Sequence, residues 1–259
     1  MPPTPIVIAE GLCQVFGERT IFRDVSFTVD PGEIFVILGG SGCGKSTLMH
    51  QLIGLLPPTR GNVIIHGHKI TGPGSAGGRA AMQREIGVMF QSGALFGSMT
   101  LLQNIMLPLD MFTDLPHAAC VEVAKAKLGL VALAEAAALM PSEISGGMAR
   151  RAGIARALAL DPPLLFLDEP SAGLDPVTSA GLDQLILDLR KDLGTTFVIV
   201  THELLSILHI ADHCIMLHRN AYPDAGGAIA SGDPRRLRDE SHDPRVWAFF
   251  HRELPKQAA

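Results

Sequence analysis

A glycine-rich loop at residues 39–47 carries the clearest chemical signal in this sequence, the pattern G-x-x-x-x-G-K-[ST]. It follows a strand-like run at 33–38 and precedes a helix-like run at 48–53, which is the context of a phosphate site. Glycines let backbone N–H groups close around phosphate oxygens, and the helix N-terminus adds positive potential. Lys45 would reach the β- and γ-phosphates, and Ser46 would bind Mg²⁺. The sequence therefore predicts a nucleoside triphosphate site made by Gly39, Gly40, Ser41, Gly42, Cys43, Gly44, Lys45, Ser46 and Thr47.

Two acidic residues, Asp168 and Glu169, follow four apolar residues at 164–167. A buried strand would deliver both carboxylates to the C-terminal edge of a sheet, beside the phosphate loop. Asp168 is then a candidate Mg²⁺ ligand, through water, and Glu169 a candidate general base for an attacking water. Paired acids at a strand end also occur in solvated turns. Their place in the chain, where a second nucleotide-site strand is expected, favours the catalytic interpretation.

A third candidate element is Ser145 with Gly146 and Gly147, at the start of a helix-like run. Serine is a favoured N-cap residue, so a purely structural cap is one interpretation. The other is a second anion-binding helix start. Because this segment lies far downstream of the phosphate loop, that interpretation favours a head-to-tail pair. Each molecule would then lend its Ser-Gly-Gly to the γ-phosphate held by the other.

Composition excludes several classes of protein. The chain has 259 residues, 47% hydrophobic and 18% charged, with a net charge of −5 and no basic run, so a nucleic-acid groove is not expected. Its four cysteines form no C-x-x-C pair, which is typical of free thiols in a reducing compartment. No apolar run reaches the roughly 18 residues of a membrane-spanning helix, and the N-terminus lacks the basic region of a signal peptide. Any membrane role is therefore expected to come through a partner.

Strands and helices are expected to alternate. Strands are predicted at 6–10, 25–29, 33–38, 63–66, 86–90, 164–167, 197–200 and 215–217, and helices at 118–129, 147–160 and 176–191, with a flexible loop at 71–79. This order predicts an α/β fold with a parallel sheet covered on both faces. The predicted boundaries are a core at 1–91 and 159–220, a helical subdomain at 92–158 and a separate C-terminal extension at 221–259.

Six motifs, in order and spacing, resemble the ATPase subunit of ABC transporters over about residues 6–220. They are Walker A at 39–47, the Q-loop glutamine Gln91, the signature at 145–147, Walker B at 164–169, the D-loop at 171–175 and the switch histidine His202. The resemblance implies a P-loop NTPase fold, with a RecA-like core, an antiparallel β subdomain and an α-helical ABC subdomain. It also implies ATP and Mg²⁺ as cofactors.

The family's roles carry over to the matching positions. The implied catalytic residues are Glu169, His202 and Gln91, and the implied Mg²⁺ ligands are Ser46, Gln91 and Asp168. His202 would contact the γ-phosphate and help to position the attacking water, and Gln91 would couple the site to a membrane partner. Outside this set of motifs, His202 would be interpreted as a core histidine at a strand end.

Two further residues receive roles only through the resemblance. Phe16 lies where the family places an aromatic residue that stacks on adenine, although a lone phenylalanine is more often a core residue. Asp175 would line the seam of a homodimer. The sequence departs from the usual signature at Ile144, which is a packing change, and at Met148, which removes an amide near the bound nucleotide.

Two segments, 90–96 and 145–151, resemble the ATPases of Mce-associated (Mla-type) lipid transporters, as does the tail at 243–253. The resemblance implies an integral-membrane, MlaE-like permease, an Mce-domain protein, often a small STAS-domain protein, and a lipid substrate. The chain would then be peripheral, at the cytoplasmic face of the inner membrane. The alternatives are the ATPase of a small-solute importer, a non-transport ABC ATPase and, less compatible with the signature and His202, a P-loop kinase or GTPase.

The tail carries a predicted helix of its own. Val246, Phe249, Phe250 and Leu254 share one helical face, and Trp247, the single tryptophan of the chain, lies beside it. A helix this short is marginal alone and must dock on something. It would dock either on its own ATPase core or on a neighbouring subunit or small partner. In segment 90–96, residues 94–96 are expected to form an exposed apolar partner site; the alternative is that Phe96 packs into the helical subdomain.

Overall fold

The computed structural model describes residues 4–72 and 75–253. In this part of the chain, strands and helices follow in the order β1 (Val7–Phe16), β2 (Arg19–Val29), β3 (Ile34–Gly39), α1 (Lys45–Leu52), β4 (Arg60–Ile65), β5 (His68–Lys69), α2 (Ala76–Glu85), β6 (Ile86–Met89), α3 (Leu101–Phe112), α4 (His117–Leu130), α5 (Gly146–Ala157), β7 (Leu164–Asp168), α6 (Pro176–Leu193), β8 (Thr196–Val200), α7 (Leu204–Ile210), β9 (His213–Tyr222), β10 (Ala225–Gly232), α8 (Pro234–Glu240) and α9 (Pro244–His251).

The strands form one sheet in the order β5-β4-β1-β2-β10-β9-β3-β8-β7-β6. The segment from β9 through β3, β8 and β7 to β6 is parallel, whereas β1 pairs antiparallel with both β2 and β4. Every residue of β3, β7 and β8 is buried, which explains their continuous apolar sequences. The predicted α/β class, with an antiparallel β part, is confirmed.

Alternation along β3 divides the interior into two cores, because successive side chains of a strand point to opposite faces. Ile34, Val36 and Leu38 belong to the core that also takes in α3 to α7 and α9. Phe35 and Ile37 belong to the core between the antiparallel strands and α1. The phosphate loop directly follows β3, so it starts from a strand that is held on both faces.

Local capping explains why the inserted helices begin where they do. Thr100 caps α3 in a reciprocal capping box: its hydroxyl accepts a hydrogen bond from the Gln103 N–H at 3.2 Å, and the Gln103 side chain accepts one from the Thr100 N–H at 2.9 Å. Helices α3, α4 and α5 pack on one another and lie in sequence between β6 and β7.

Two sequence expectations need correction. Residues 71–79 were expected to form a flexible loop, but α2 already begins at Ala76; Pro73 and Gly74 lie outside the described residues. The boundary at 220/221 falls inside β9, and β10 pairs with β9 and with β2 in the main sheet. Residues 225–232 are therefore part of the sheet, because their backbone groups complete it between two strands. Only α8 and α9 follow as an appended helical segment.

In residues 4–72 and 75–253, no helix combines the length and the apolar character that crossing a bilayer requires.

Candidate active site

The phosphate loop depends on a close backbone approach at its first residue. Gly39 has φ 148°, and a Cβ atom placed there would lie 2.3 Å from the carbonyl oxygen of Leu217 in β9. Cys43 is buried beneath the same loop, where burial raises the pKa of its thiol, so this side chain is a packing group. The backbone N–H groups of the loop are therefore the groups available to bind phosphate oxygens.

Lys45 begins α1, and its ammonium group folds back over the loop. Its Nζ atom donates hydrogen bonds to the carbonyl oxygens of Gly39, at 2.9 Å, and Gly40, at 3.1 Å. An open cavity of about 590 Å³ adjoins this amine, and its lining includes Ser41, Glu169 and His202. The fold thus brings the lysine, the predicted base and the predicted switch histidine into one cavity.

Asp168, the last residue of β7, is buried, and its Oδ1 atom is buried without a hydrogen-bond partner in the described part of the chain. Burial, followed by the neighbouring Glu169 carboxylate, raises the pKa of Asp168, while His50 and Lys45 oppose that rise. A buried carboxylate oxygen without a donor is a natural ligand for a hard cation. The site therefore fits the Mg²⁺ ion that the motif implies.

Glu169 and His202 are in direct contact. The Oε1 atom of Glu169 lies 2.8 Å from Nδ1 of His202, and the Glu169 N–H donates to the Val200 carbonyl oxygen at 2.8 Å. Glu169 has φ 48°, an uncommon conformation for a side chain with a Cβ atom, and its Oε2 atom is buried without a partner in the described residues. Backbone strain of this kind is typical of functional sites. One carboxylate oxygen is held by the histidine and the other has no donor, as a proton acceptor needs.

A second cavity, of about 300 Å³, adjoins the other side of the loop. It is lined by Arg19, Ile21, Gly42, Gly44, Lys45, Ser46 and Thr47. Phe16, at the end of β1, does not line either cavity, but the residue is 51% exposed. An aromatic residue with this exposure is accessible for stacking. Gln91 is exposed in a 3₁₀ turn just beyond β6.

The predicted signature and D-loop residues lie outside both cavities. Ser145 caps α5, its hydroxyl accepting from the Met148 N–H at 3.3 Å. Asp175 caps α6, accepting from the Val177 and Thr178 N–H groups at 3.1 and 3.0 Å. Hydrogen bonding from the Thr178 side chain, followed by that from these backbone N–H groups, lowers the pKa of Asp175. Both side chains thus have a capping role within their own chain, and Ser145, Gly146 and Gly147 do not reach this chain's own Lys45 cavity.

Four residues for which the sequence predicted no role at the nucleotide site also line the Lys45 cavity: Glu203, Leu204, Phe249 and Arg252. Glu203 and Leu204 could have been found, because they directly follow His202. Phe249 lies near the end of the tail helix α9, and Arg252 directly follows that helix. Their presence depends on where α9 docks, and no local motif encodes that.

A phosphate loop between β3 and α1, an acidic pair at the end of β7 and a histidine just beyond β8, all on a parallel sheet, define a P-loop nucleotide hydrolase. The chain belongs to the ABC transporter family, whose model, described as "ABC transporter", matches residues 22–172.

Two relatives are similar in sequence to this chain over most of its length. The "Probable ribonucleotide transport ATP-binding protein mkl" of Mycobacterium tuberculosis is 44% identical over 241 residues, which cover 93% of this chain and 65% of that protein. The chain thus spans about two thirds of that relative's length. The "Intermembrane phospholipid transport system ATP-binding protein MlaF" of Escherichia coli K12 is 42% identical over 235 residues, covering 90% of this chain and 84% of that protein.

Solved structures agree on the fold. The dimeric post-hydrolysis state of the ATP-binding cassette MJ0796, bound to ADP and Pi, has a TM-score of 0.76 and 29% identity, covering 88% of this chain and 98% of that one. CbiO1 from Clostridium perfringens, part of the ABC transporter complex cbiONQ, has a TM-score of 0.80 and 26% identity, covering 94% of each chain.

Proposed function

We propose that this chain is the ATP-hydrolysing subunit of an ABC transporter that moves phospholipid or a related lipid, at the cytoplasmic face of the inner membrane. The main observation in support of ATP hydrolysis is the contact between Glu169 and His202 in the cavity beside Lys45. Family membership and the ADP- and phosphate-bound neighbour support the same activity.

Each side chain has a distinct role in this proposal. Lys45 and the loop backbone bind the phosphates, and the ring of Phe16 stacks on adenine. Glu169 accepts the proton of the attacking water, while His202 holds the glutamate and faces the γ-phosphate. Ser46, Gln91 and Asp168 would hold Mg²⁺, which when bound neutralises charge on the phosphates. The unpartnered oxygens of Asp168 and Glu169 support these assignments.

We further propose that the functional unit is a homodimer with composite sites. Ser145 and Gly146 are exposed at a helix start outside their own chain's Lys45 cavity, so they are free to face a second copy, whereas Gly147 is buried in the same turn. The loop at 171–175 and Asp175 would lie at the same seam. A dimeric arrangement is also the form in which the MJ0796 cassette is described.

Mixing two defective chains tests this composite site. Lys45→Ala should abolish phosphate binding in its own chain, and Ser145→Arg should block only the site of the other chain. A mixed dimer therefore keeps one intact site, and we expect ATP-dependent dimerisation in the mixture but in neither variant alone, measured by light scattering. The matched control is Ser98→Arg, an exposed serine outside the segments 145–147 and 171–175. Hydrolysis by a strictly monomeric protein at every concentration would contradict the proposal.

The substrate assignment rests on comparing two relatives. The printed name of the Escherichia coli relative refers to phospholipid, and that of the mycobacterial relative to ribonucleotide. This chain covers more of the former protein, 84% against 65%, and segments 90–96 and 145–151 resemble the Mla-type group. These points favour lipid, moved with an MlaE-like permease, an Mce-domain protein and a small STAS-domain protein. The second candidate is a small-solute importer, which the mycobacterial name favours.

The expected permease contact is the exposed apolar loop after Gln91. The Phe96 side chain is 50% exposed, and the Arg156 guanidinium lies 5.7 Å from its ring centroid. Ala94 is also exposed, but Leu95 is half-buried against the helical core, so residue 95 does not fit the predicted surface patch. An exposed aromatic ring beside a cation suits a partner's helix end.

Phe96→Asp should release the chain from membranes while ATP affinity and melting temperature stay unchanged, because Phe96 is 50% exposed and lies outside both cavities of the nucleotide site. The measurement is co-purification with membranes, followed by lipid analysis of the complex. Leu193→Asp is the control, since Leu193 is 43% exposed at the far end of α6. Release by both variants, or a large loss of melting temperature with Phe96→Asp alone, would contradict this surface. Co-purified ribonucleotide without lipid would favour the second candidate.

A further inference from the structure

Arg150 lies in the segment Met148–Arg151 that follows the signature, and the proposed chemistry leaves it without a role. Its side chain is buried in the middle of α5, and the whole residue is 7% exposed. The Nη2 atom donates a hydrogen bond to the carbonyl oxygen of Ala172, at 3.1 Å. Ala172 belongs to the loop at 171–175, which leads from the Asp168–Glu169 pair to α6. A single side chain thus joins the signature helix to that loop.

The charge of Arg150 is not balanced locally. In residues 4–72 and 75–253, no carboxylate lies within ion-pair distance of its guanidinium, although seven ion pairs between another Lys or Arg and a carboxylate are present there. Its Nη1 atom is buried without a partner in the same part of the chain, as is the Oγ atom of Ser171 beside Ala172. Burial also lowers the pKa of Arg150. Burying an unpaired charge destabilises a fold, so core stability alone does not explain an arginine at this position.

Helix α5 also contacts a second loop, at residues 93–94, through a second arginine, Arg156. The Arg156 guanidinium donates to the carbonyl oxygens of Ala94, at 2.9 Å, and Gly93, at 3.1 Å, which follow Gln91. The start of α5 also packs on the start of α6, where a Cβ atom at Gly147 would lie 2.6 Å from Cγ2 of Thr178. Helix α5 therefore connects the exposed loop at 91–96 with the loop at 171–175, and it carries Ser145 at its first turn.

We infer that Arg150 is a positioning residue that fixes the 171–175 loop to the signature helix, so that Ser145 and this loop meet the second copy's nucleotide as one unit. The inference rests on the proposed composite site. Arg150 holds the loop through a hydrogen bond to the backbone carbonyl oxygen of Ala172. Another side chain with a hydrogen-bond donor at a similar distance should therefore hold the loop in part. A displacement of about 1 Å in a catalytic arrangement can cost roughly 10²-fold in rate.

Mixed dimers test this inference because each chain contributes two separate parts to the composite sites. One is its own phosphate loop, and the other is Ser145 with the 171–175 loop, which faces the nucleotide of the other chain. When one chain carries Lys45→Ala, the single intact site uses the signature and the 171–175 loop of that same chain. Arg150→Met in the Lys45→Ala chain should weaken ATP-dependent dimerisation by roughly tenfold or more. The same substitution in the other chain should leave dimerisation within about twofold of the parent pair. The adjacent Arg151→Met is the matched control and should show no such asymmetry.

Homodimers supply the second readout. Arg150→Met should lower kcat for ATP hydrolysis with little change in KM, and Arg150→Lys should recover part of the loss. Two results would overturn the inference in favour of a folding role: dimerisation weakened equally whichever chain carries Arg150→Met, or no activity recovered by Arg150→Lys. If Arg150→Met does not fold, Arg150→Lys is placed in the mixed dimers instead. Absence of ATP-dependent dimerisation in the parent pair would overturn the composite site itself, whatever residue 150 is.

Discussion

Replacing Glu169 with glutamine is expected to slow ATP hydrolysis by about 10²–10⁴-fold while ATP binding persists. The amide keeps the shape and the contact with His202, which in the native chain joins Oε1 and Nδ1 at 2.8 Å, but it cannot accept the proton of water. Binding persists because the phosphates are gripped by Lys45 and the loop backbone, which the substitution does not touch. The Glu169→Gln variant is therefore expected to keep ATP bound and to remain a dimer in its presence.

The measurement is phosphate release at saturating ATP, together with equilibrium binding of ATP to the same preparation. Glu203→Gln is the matched control, because Glu203 lines the same cavity but its side chain is 41% exposed and lies 3.8 Å from the other ring nitrogen of His202. It should lose far less activity. Near-normal turnover by Glu169→Gln would show that another group accepts the proton.

Truncating Phe250 to alanine is expected to destabilise the whole chain by about 3 kcal/mol, which lowers the melting temperature by roughly 10 °C. Phe250 is 6% exposed, and with the fully buried Val246 it belongs to the larger of the two cores. Its ring also packs edge-on against Phe249, with centroids 5.5 Å apart. Helix α9 therefore docks on its own ATPase core; Leu254, the fourth residue of the predicted stripe, lies outside the described residues.

Thermal unfolding of Phe250→Ala is compared with that of Trp247→Ala. Trp247 has the larger side chain but is 37% exposed and stacks mainly on His251 of the same helix, with ring centroids 4.3 Å apart. Its loss should lower the melting temperature much less. If instead Phe250→Ala unfolds at the native temperature but no longer self-associates without nucleotide, the tail holds a neighbouring subunit rather than its own core.

Local sequence signals were sufficient for the catalytic strands. The apolar runs that became β3, β7 and β8 are continuous because both faces of these strands are buried, and the phosphate loop matches a motif of nine consecutive residues. The close approach of Leu217 that requires a glycine at position 39 is, by contrast, a contact with a distant strand. The acidic pair and His202 follow strand ends, so a parallel sheet alone brings them to one edge. The resemblance to the family assigned them to one site, but the hydrogen bond between Glu169 and His202 was not predicted.

Contacts between distant segments were not predictable in this way. Strand β10 has three glycines and three alanines in its eight residues, so it carries little of the β-branched and aromatic pattern by which strands are recognised. It is a strand because β9 and β2 flank it. The approach of Phe249 and Arg252 to the Lys45 cavity likewise depends on where α9 docks. The same holds for the hydrogen bond from Arg150 to Ala172, which joins helix α5 to a loop that local patterns describe separately.

The order of strands in the sheet has a consequence for synthesis of the chain. Strand β3, which carries the phosphate loop, lies between β8 and β9, and both of these are encoded far downstream. Until residues 196–200 have emerged from the ribosome, β3 has neither of its sheet neighbours, and until residues 213–222 have emerged it has only one. Pairing over such long sequence separations slows folding and prolongs the exposure of apolar strand edges. The nascent nucleotide-site strand is therefore the segment of this chain that we expect to depend most on chaperone protection.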